Sequence, residues 1–110
     1  MALPTYDIEG SRIVRVSEVV DVANVDWFAG ELAALIRDCP EQTVIVDLSC
    51  PLLTTDGIDF LERAHALAGR CGRTLRVTAG HGISRKVLRI TGADRLLDVH
   101  PDLETALSAA

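Results

Sequence analysis

A run of six residues, Thr43–Leu48, constrains the fold more than any other feature, because nearly all of it is apolar and β-branched. Runs of this kind form strands that are covered on both faces, as in the middle of a parallel sheet flanked by helices. Arg12–Val16 and Thr74–Ala79 predict two further strands. Shorter apolar pieces at Val19–Val22 and Leu96–Val99 predict one more strand each.

Amphipathic segments follow these strands and predict helices. The first begins after Asn24, a favourable N-cap residue, and stops before Pro40, which cannot continue it. The second begins near Asp56 and ends by Gly72. Its apolar residues recur at helical spacing, which predicts one buried face.

Two more helices complete the pattern. Ser84 is expected to cap the third, and Gly92 supplies a left-handed stop. Pro101 is expected to open the fourth, which buries Leu103, Ala106 and Leu107. The resulting order, β-β-α-β-α-β-α-β-α, predicts an α/β fold with a mainly parallel sheet and helices packed against it.

Composition and charge narrow the functional classes. The chain has 110 residues, 48% of them hydrophobic, which fits one folded domain. A net charge of −5 and only 4% aromatic residues argue against nucleic acid or an anionic membrane as the main partner. No apolar run could span a bilayer, no signal sequence is evident, and three cysteines without close pairing suit a reducing compartment. We therefore expect a soluble cytoplasmic domain.

The loop after the central strand carries two adjacent hydroxyls, Thr54 and Thr55, at the start of a helix. Free backbone N–H groups and the helix dipole favour added negative charge there. A threonine in this position is suited to phosphorylation. The alternative is that Thr55 or Asp56 simply caps the helix, which on chemistry alone is the more common role.

The segment Val46–Ile58, with the sequence VDLSCPLLTTDGI, resembles the central motif of STAS domains, the anti-sigma-factor antagonists and their relatives. In that family a strand ending Asp-Leu-Ser precedes Asp-Ser-Ser-Gly-Leu or Asp-Ser-Thr-Gly-Leu at a helix start. The segments Cys71–Val77, Val87–His100 and Pro101–Leu107 are also similar to the family pattern, in the right order. The resemblance covers residues 11 to 109 and implies one STAS domain over residues 1–110, with about four helices mostly on one side of a mixed sheet.

The resemblance implies a regulatory function without catalysis. Family members bind an anti-sigma factor, often itself a Ser/Thr kinase, and so release a bacterial sigma factor for transcription. Phosphorylation of the first hydroxyl residue after the motif aspartate breaks the complex, and a PP2C-type phosphatase restores it. The matching acceptor here is Thr55.

This sequence departs from the family motif on both sides of Thr55. Thr54 stands where the family has aspartate, and Asp56 stands where it has a second hydroxyl. Three interpretations stay open. Thr55 is still phosphorylated; Asp56 supplies a permanent charge that fixes one binding state; or the switch is lost and the domain is a scaffold or accessory subunit, as in a stressosome-like particle or a lipid ABC transporter.

The same resemblance predicts a partner-binding surface around this loop, and an exposed Trp27 would in addition indicate an interface such as that of a homodimer. The predicted surface residues are Asp21, Asn24, Leu53, Thr54, Thr55, Asp56, Gly57, Ile58, His81 and Ser84. No cofactor is expected, and no metal, because the three histidines lie on different elements without ligand spacing. The sequence also lacks a nucleophile signature such as G-x-S-x-G, so an enzyme is not expected.

Overall fold

The computed structural model describes residues 3–109 and contains one sheet of five strands in the order β1-β2-β3-β4-β5. The strands are β1 (Thr5–Ile8), β2 (Ser11–Val16), β3 (Thr43–Leu48), β4 (Thr74–Ala79) and β5 (Asp98–His100). The helices are α1 (Val25–Arg37), α2 (Thr55–Arg70), α3 (Gly82–Ile90) and α4 (Leu103–Ser108). A short 3-10 turn, Ala93–Arg95, joins α3 to β5.

The sheet is mixed, with one antiparallel pair at its edge. β1 runs antiparallel to β2, and every later pair is parallel. The strand β3 lies in the centre, where Val46 is paired with Val14 of β2 and Val77 of β4. The continuous apolar run predicted this central place, because both of its faces are covered.

The helices α1, α2 and α3 share one face of the sheet, where they enclose the main core. The opposite face is covered by α4, whose fully buried Ala106 packs with Ile13 and Ile45. The expected α/β architecture, with helices mostly on one side, is therefore confirmed. One face of the sheet is closed by the long helices, and α4 covers part of the other.

The order of elements matches the expectation, and the predicted strand Arg12–Val16 is present as β2, but the strand predicted after it does not form. Val19–Val22 forms no strand and belongs to the loop between β2 and α1. The edge strand precedes β2 instead, at Thr5–Ile8. Its side chains are mostly exposed, so it lacks the apolar run by which a strand is predicted. The last strand is also shifted, from Leu96–Val99 to Asp98–His100.

Three of the four helix starts differ from the predicted caps. The exception is α1, where Asn24 occupies the predicted N-cap position, although its side chain makes no cap hydrogen bond. Thr54, rather than Thr55 or Asp56, caps α2. Ser84 lies inside the first turn of α3, and α4 begins at Leu103 with Asp102 as its cap, because the Asp102 carboxylate accepts the Thr105 N–H. The predicted left-handed stop at Gly92 is confirmed by its φ of +79°.

Candidate partner-binding site

Three loops leave the sheet side by side at the carboxyl ends of its parallel strands. The last residues of β2, β3 and β4 are register partners: Val16 pairs with Leu48, and Leu48 pairs with Ala79. The β2–α1, β3–α2 and β4–α3 loops therefore begin next to one another. In open α/β sheets this edge is the usual place for ligands and partners.

Thr54 joins two of these loops. Its Oγ1 accepts the Gly57 N–H at 3.0 Å, which caps α2, and it donates to the main-chain carbonyl of Val20 in the β2–α1 loop. A single hydroxyl thus satisfies one free donor of the helix and one carbonyl of the neighbouring loop. This is a physical reason for a threonine where the family motif has an aspartate, since a carboxylate cannot donate to a carbonyl.

Thr55 is the first residue of α2 and is exposed to solvent. Among the described residues its hydroxyl has no hydrogen-bond partner, because Thr54 performs the capping. The N–H groups of Thr55 and Asp56 lie in the first turn, where an α-helix offers no acceptor of its own. The Thr55 hydroxyl is therefore accessible and stands where the helix favours negative charge.

Gly57 allows the β2–α1 and β3–α2 loops to pack tightly against the start of α2. A Cβ at this position would lie 2.9 Å from Leu53 Cδ1 and 3.8 Å from Val20 Cβ. Any side chain would displace Leu53 from its place against the core. The close approach of Leu53 therefore favours glycine after Asp56, whereas the backbone there is that of an ordinary helix and makes no demand for glycine.

The β2–α1 loop is held by reciprocal hydrogen bonds between Asp21 and Asn24. The Asp21 carboxylate accepts the N–H groups of Ala23 at 2.9 Å and Asn24 at 3.2 Å. The Asn24 side-chain oxygen in turn accepts the Asp21 N–H at 2.8 Å, and its amide nitrogen donates to the Val19 carbonyl at 3.1 Å. These two polar residues therefore order the loop itself.

The β4–α3 loop is tied to the β3–α2 loop. His81 Nε2 lies 3.1 Å from the Ser49 carbonyl, at hydrogen-bonding distance. Arg85, in the first turn of α3, donates to the carbonyls of Ala79 at 2.7 Å and Gly80 at 3.2 Å. Its guanidinium thus stabilises the end of β4.

The structure brings the predicted surface residues to one edge of the sheet, but they differ in accessibility. The exposed ones are Asp21, Thr55 and His81. Those of intermediate burial are Asn24, Leu53, Thr54 and Asp56, and the buried ones are Gly57, Ile58 and Ser84. The Ser84 hydroxyl is buried with no partner among the described residues. The buried members of the set position the backbone and offer no surface for contact.

Three apolar side chains on the same edge are exposed; Leu52 and Ile83 lie within the loops predicted to form the contact surface, Leu52–Asp59 and Gly80–Ser84, and only Val22 was missed. Val22 is 82% exposed, Leu52 is 55% exposed and Ile83 is 62% exposed, one on each of the three loops or helix starts. Single exposed apolar residues are ordinary, but several at one converging edge are typical of a protein-binding surface. Their position in turns directly after predicted strands is the sequence feature that could have predicted their exposure.

The described residues can be searched for a metal site and for a membrane-spanning helix. Within residues 3–109 no group of three or more His, Cys, Asp or Glu side chains is placed to hold a metal ion. Over the same residues, each helix is too short or too polar to cross a bilayer.

Cys50, beside Ser49 in the loop, is buried, and this burial raises the pKa of its thiol.

The family of the chain follows from its sequence. A family model described as the STAS domain matches residues 2–106. The chain therefore belongs to the STAS domain family, as the motif resemblance predicts. No curated protein matches the chain as a relative.

Solved structures agree with this assignment at the level of the fold. An anti-sigma factor antagonist from Mycobacterium paratuberculosis has a TM-score of 0.86 and 22% identity, covering 97% of this chain and 91% of that one. The anti-sigma factor antagonist SpoIIAA in its unphosphorylated form has a TM-score of 0.71 and 14% identity, with coverages of 96% and 93%. Phosphorylated SpoIIAA of Bacillus has a TM-score of 0.63 and 14% identity, with coverages of 96% and 96%. This chain is thus a STAS domain that resembles anti-sigma factor antagonists.

Proposed function

We propose that this protein is a regulatory binding module that antagonises an anti-sigma factor and is switched by phosphorylation of Thr55. The observation that carries the proposal is the state of Thr55. Its hydroxyl is exposed and has no hydrogen-bond partner among the described residues, at the first position of a helix that Thr54 caps and at the same edge of the sheet as the exposed side chains of Val22 and Leu52. A modification there changes the charge of the surface without breaking the fold.

The proposed switch follows from electrostatics and hydration. A phosphate adds a charge of about −1.5 to −2 and a hydrated group to the surface. The free N–H groups and dipole of α2 stabilise this charge within the domain. The same group opposes burial under a partner, so phosphorylation lowers affinity while the fold is kept. SpoIIAA, which shares this fold, is known in unphosphorylated and phosphorylated forms.

The proposal also assigns the surrounding components. The anti-sigma factor is the kinase, a PP2C-type phosphatase reverses the modification, and the reaction takes place in the cytoplasm. This chain itself contributes no catalytic group. Homodimerisation stays a prediction, with the half-exposed Trp27 as its candidate anchor.

The first test is intact-mass spectrometry with peptide mapping on protein isolated from its own host. A phosphate on Thr55, removable by a PP2C-type phosphatase, supports the proposal. An unmodified Thr55 after incubation with a cognate kinase and ATP contradicts it. In that case Asp56→Asn separates the remaining interpretations, since a fixed-charge domain changes partner affinity with this variant and a scaffold does not.

The second test is the binding of variants to the cognate anti-sigma factor. We expect Thr55→Ala to bind as the unmodified protein does, and Thr55→Glu to bind at least tenfold more weakly. Thr105→Glu is the matched control, because Thr105 is exposed in the first turn of α4 on the opposite face of the sheet. Equal affinities for Thr55→Ala and Thr55→Glu would mean that the switch is absent.

A further inference from the structure

The outward face of α3 has an unusual combination of apolar and positive side chains. Ile83 is 62% exposed and Ile90 is 71% exposed, and they stand about two helical turns apart. Val87 lies between them at neighbouring positions of the same face and is half-buried against the core. Because residues three and four apart are adjacent on a helix, the three side chains form one continuous apolar ridge.

Positive charge flanks this ridge. Residues 82–97 carry Arg85, Lys86, Arg89 and Arg95 against the single carboxylate of Asp94, a local charge of +3 in a chain whose net charge is −5. Arg85 is engaged with main-chain carbonyls. Within residues 3–109, Lys86, Arg89 and Arg95 form no ion pair. Their charges are therefore available to a partner.

The opposite side of α3 explains why this face is not used within the domain. Leu88 and Ser84 are buried against the sheet, so the helix is already packed on its inner side. The 3-10 turn that contacts the end of α3 is followed by Leu96, which is 51% exposed. Ile83 and Ile90 thus have little intramolecular cover among the described residues, and Leu96 adds a further exposed apolar side chain shortly after the helix.

We propose that this face of α3 binds an acidic amphipathic helix of a protein partner. An apolar ridge about 10 Å long with cations along one side is complementary to a helix that has an apolar stripe bordered by acidic residues. The inference deepens the proposed function, on which it rests, because Ile83 belongs to both surfaces. The partner that covers Val22, Leu52 and Ile83 thereby continues along α3 to Ile90.

The same features fit a membrane less well. Interfacial helices bury a broad apolar face rich in bulky side chains, whereas this short helix exposes a narrow ridge of two isoleucines. The surrounding chain has a net negative charge, which anionic lipids repel. An acidic helix of a protein contacts only this face, so its binding depends on the local positive charge and not on the net charge of the chain.

The test uses the full chain, labelled with nitrogen-15, and a synthetic helical peptide that carries a leucine ridge flanked by glutamates. We expect chemical-shift changes at Ile83, Lys86, Arg89 and Ile90. A peptide with lysines in place of the glutamates should bind at least tenfold more weakly. Shift changes elsewhere, or equal binding of the two peptides, overturn the inference, and so does preferential binding to phosphatidylglycerol vesicles.

Charge-reversal variants locate the interaction. Lys86→Glu combined with Arg89→Glu should lower the affinity for the acidic peptide about tenfold or more. The matched control combines Arg37→Glu with Arg70→Glu, which reverses two exposed charges on α1 and α2 and should leave the affinity unchanged. Equal losses for the two pairs would show a general charge effect and contradict the inference.

Thr55→Glu separates this inference from the proposed function. The distal ridge at Ile90 lies on α3, and its binding of the acidic peptide should be unaffected by a charge at the start of α2. If Thr55→Glu leaves anti-sigma factor binding intact while the α3 variants abolish peptide binding, the switch fails and the α3 surface stands. If the α3 variants change nothing while Thr55→Glu acts as expected, the α3 surface fails and the switch stands.

Discussion

The hydroxyl of Thr54 donates a hydrogen bond to the main-chain carbonyl of Val20, a residue 34 positions earlier in the chain. The same oxygen accepts the Gly57 N–H at 3.0 Å. One side chain therefore holds the β2–α1 loop against the start of α2, the two segments that frame Thr55. The position of the proposed acceptor thus depends on the residue before it.

Thr54→Ala should lower the free energy of unfolding by about 1–3 kcal/mol, because it removes a helix cap and leaves the Val20 carbonyl without its partner. Thr54→Ser keeps the hydroxyl and should lose less than about 1 kcal/mol. Thr55→Ala, one residue later, should be nearly neutral since Thr55 makes no cap. Urea denaturation measures all three, and similar losses for Thr54→Ala and Thr55→Ala would contradict this account.

Asp21 offers a test of the β2–α1 loop. Asp21→Ala removes the acceptor of the Ala23 N–H, and we expect this amide to exchange with deuterium about fivefold faster or more. The Asn24 N–H should change less, because it keeps the main-chain carbonyl of Asp21 at 3.2 Å. Asp21→Asn keeps an oxygen in the same place and is the control for charge. Unchanged exchange in Asp21→Ala would show that Asn24 alone orders the loop.

The central fold could be predicted from the sequence because its signals are long and regular. The β-branched run of β3 and the apolar spacing of α1 and α2 reflect burial directly, and the structure confirms these elements. The edge strand β1 escaped prediction because it is exposed and pairs on one side only. Val19–Val22 was wrongly predicted as a strand because it is apolar. Val20 is indeed buried, but it lies in a loop ordered by Asp21.

The candidate site was predicted only in part, because its geometry depends on contacts between distant segments. The resemblance to the family motif locates Thr55. Without that resemblance, a hydroxyl residue two positions before a glycine is too common a pattern to predict a site. The bond from Thr54 to Val20 joins residues that sequence spacing does not connect. Exposure of Val22 and Ile83 likewise depends on how the loops converge.

The cysteines should differ in reactivity. Burial raises the pKa of the Cys39 and Cys50 thiols, and a hydrogen bond to Glu41 adds to the effect at Cys39. Cys71 is only partly buried. At neutral pH we expect iodoacetamide to label Cys71 first and the other two at rates limited by unfolding. Rapid labelling of Cys50 in the folded protein would contradict its burial.

These thiol shifts also predict a loss of stability at alkaline pH. An unfolded cysteine has a pKa of about 8.5, and the folded values for Cys39 and Cys50 are higher, so the native state holds these protons more tightly. Their contribution is complete below about pH 8.5 and is lost as the pH rises toward the folded pKa values. Replacing both by alanine should flatten this part of the stability profile, measured as the free energy of unfolding against pH.

The lowered pKa of Asp102 predicts that the stability of α4, on the opposite face of the sheet from α1, α2 and α3, falls at acid pH. Its carboxylate caps α4 by accepting the Thr105 N–H at 2.7 Å, and this hydrogen bond lowers the pKa of Asp102. The stabilisation is therefore present above the unfolded pKa of about 3.9 and is lost as the pH falls through the folded value. Asp102→Ser keeps a cap without a titrating group, and Asp102→Ala removes it.

The readout is the exchange of α4 amides with deuterium as a function of pH, because α4 covers Ile13 and Ile45 through Ala106. Once the intrinsic pH dependence of exchange is subtracted, the original protein should lose protection of α4 below about pH 4, and Asp102→Ser should not. Asp102→Ala should have weak protection at every pH. A pH-dependent loss of protection that persists in Asp102→Ser would show that Asp102 is not the titrating group.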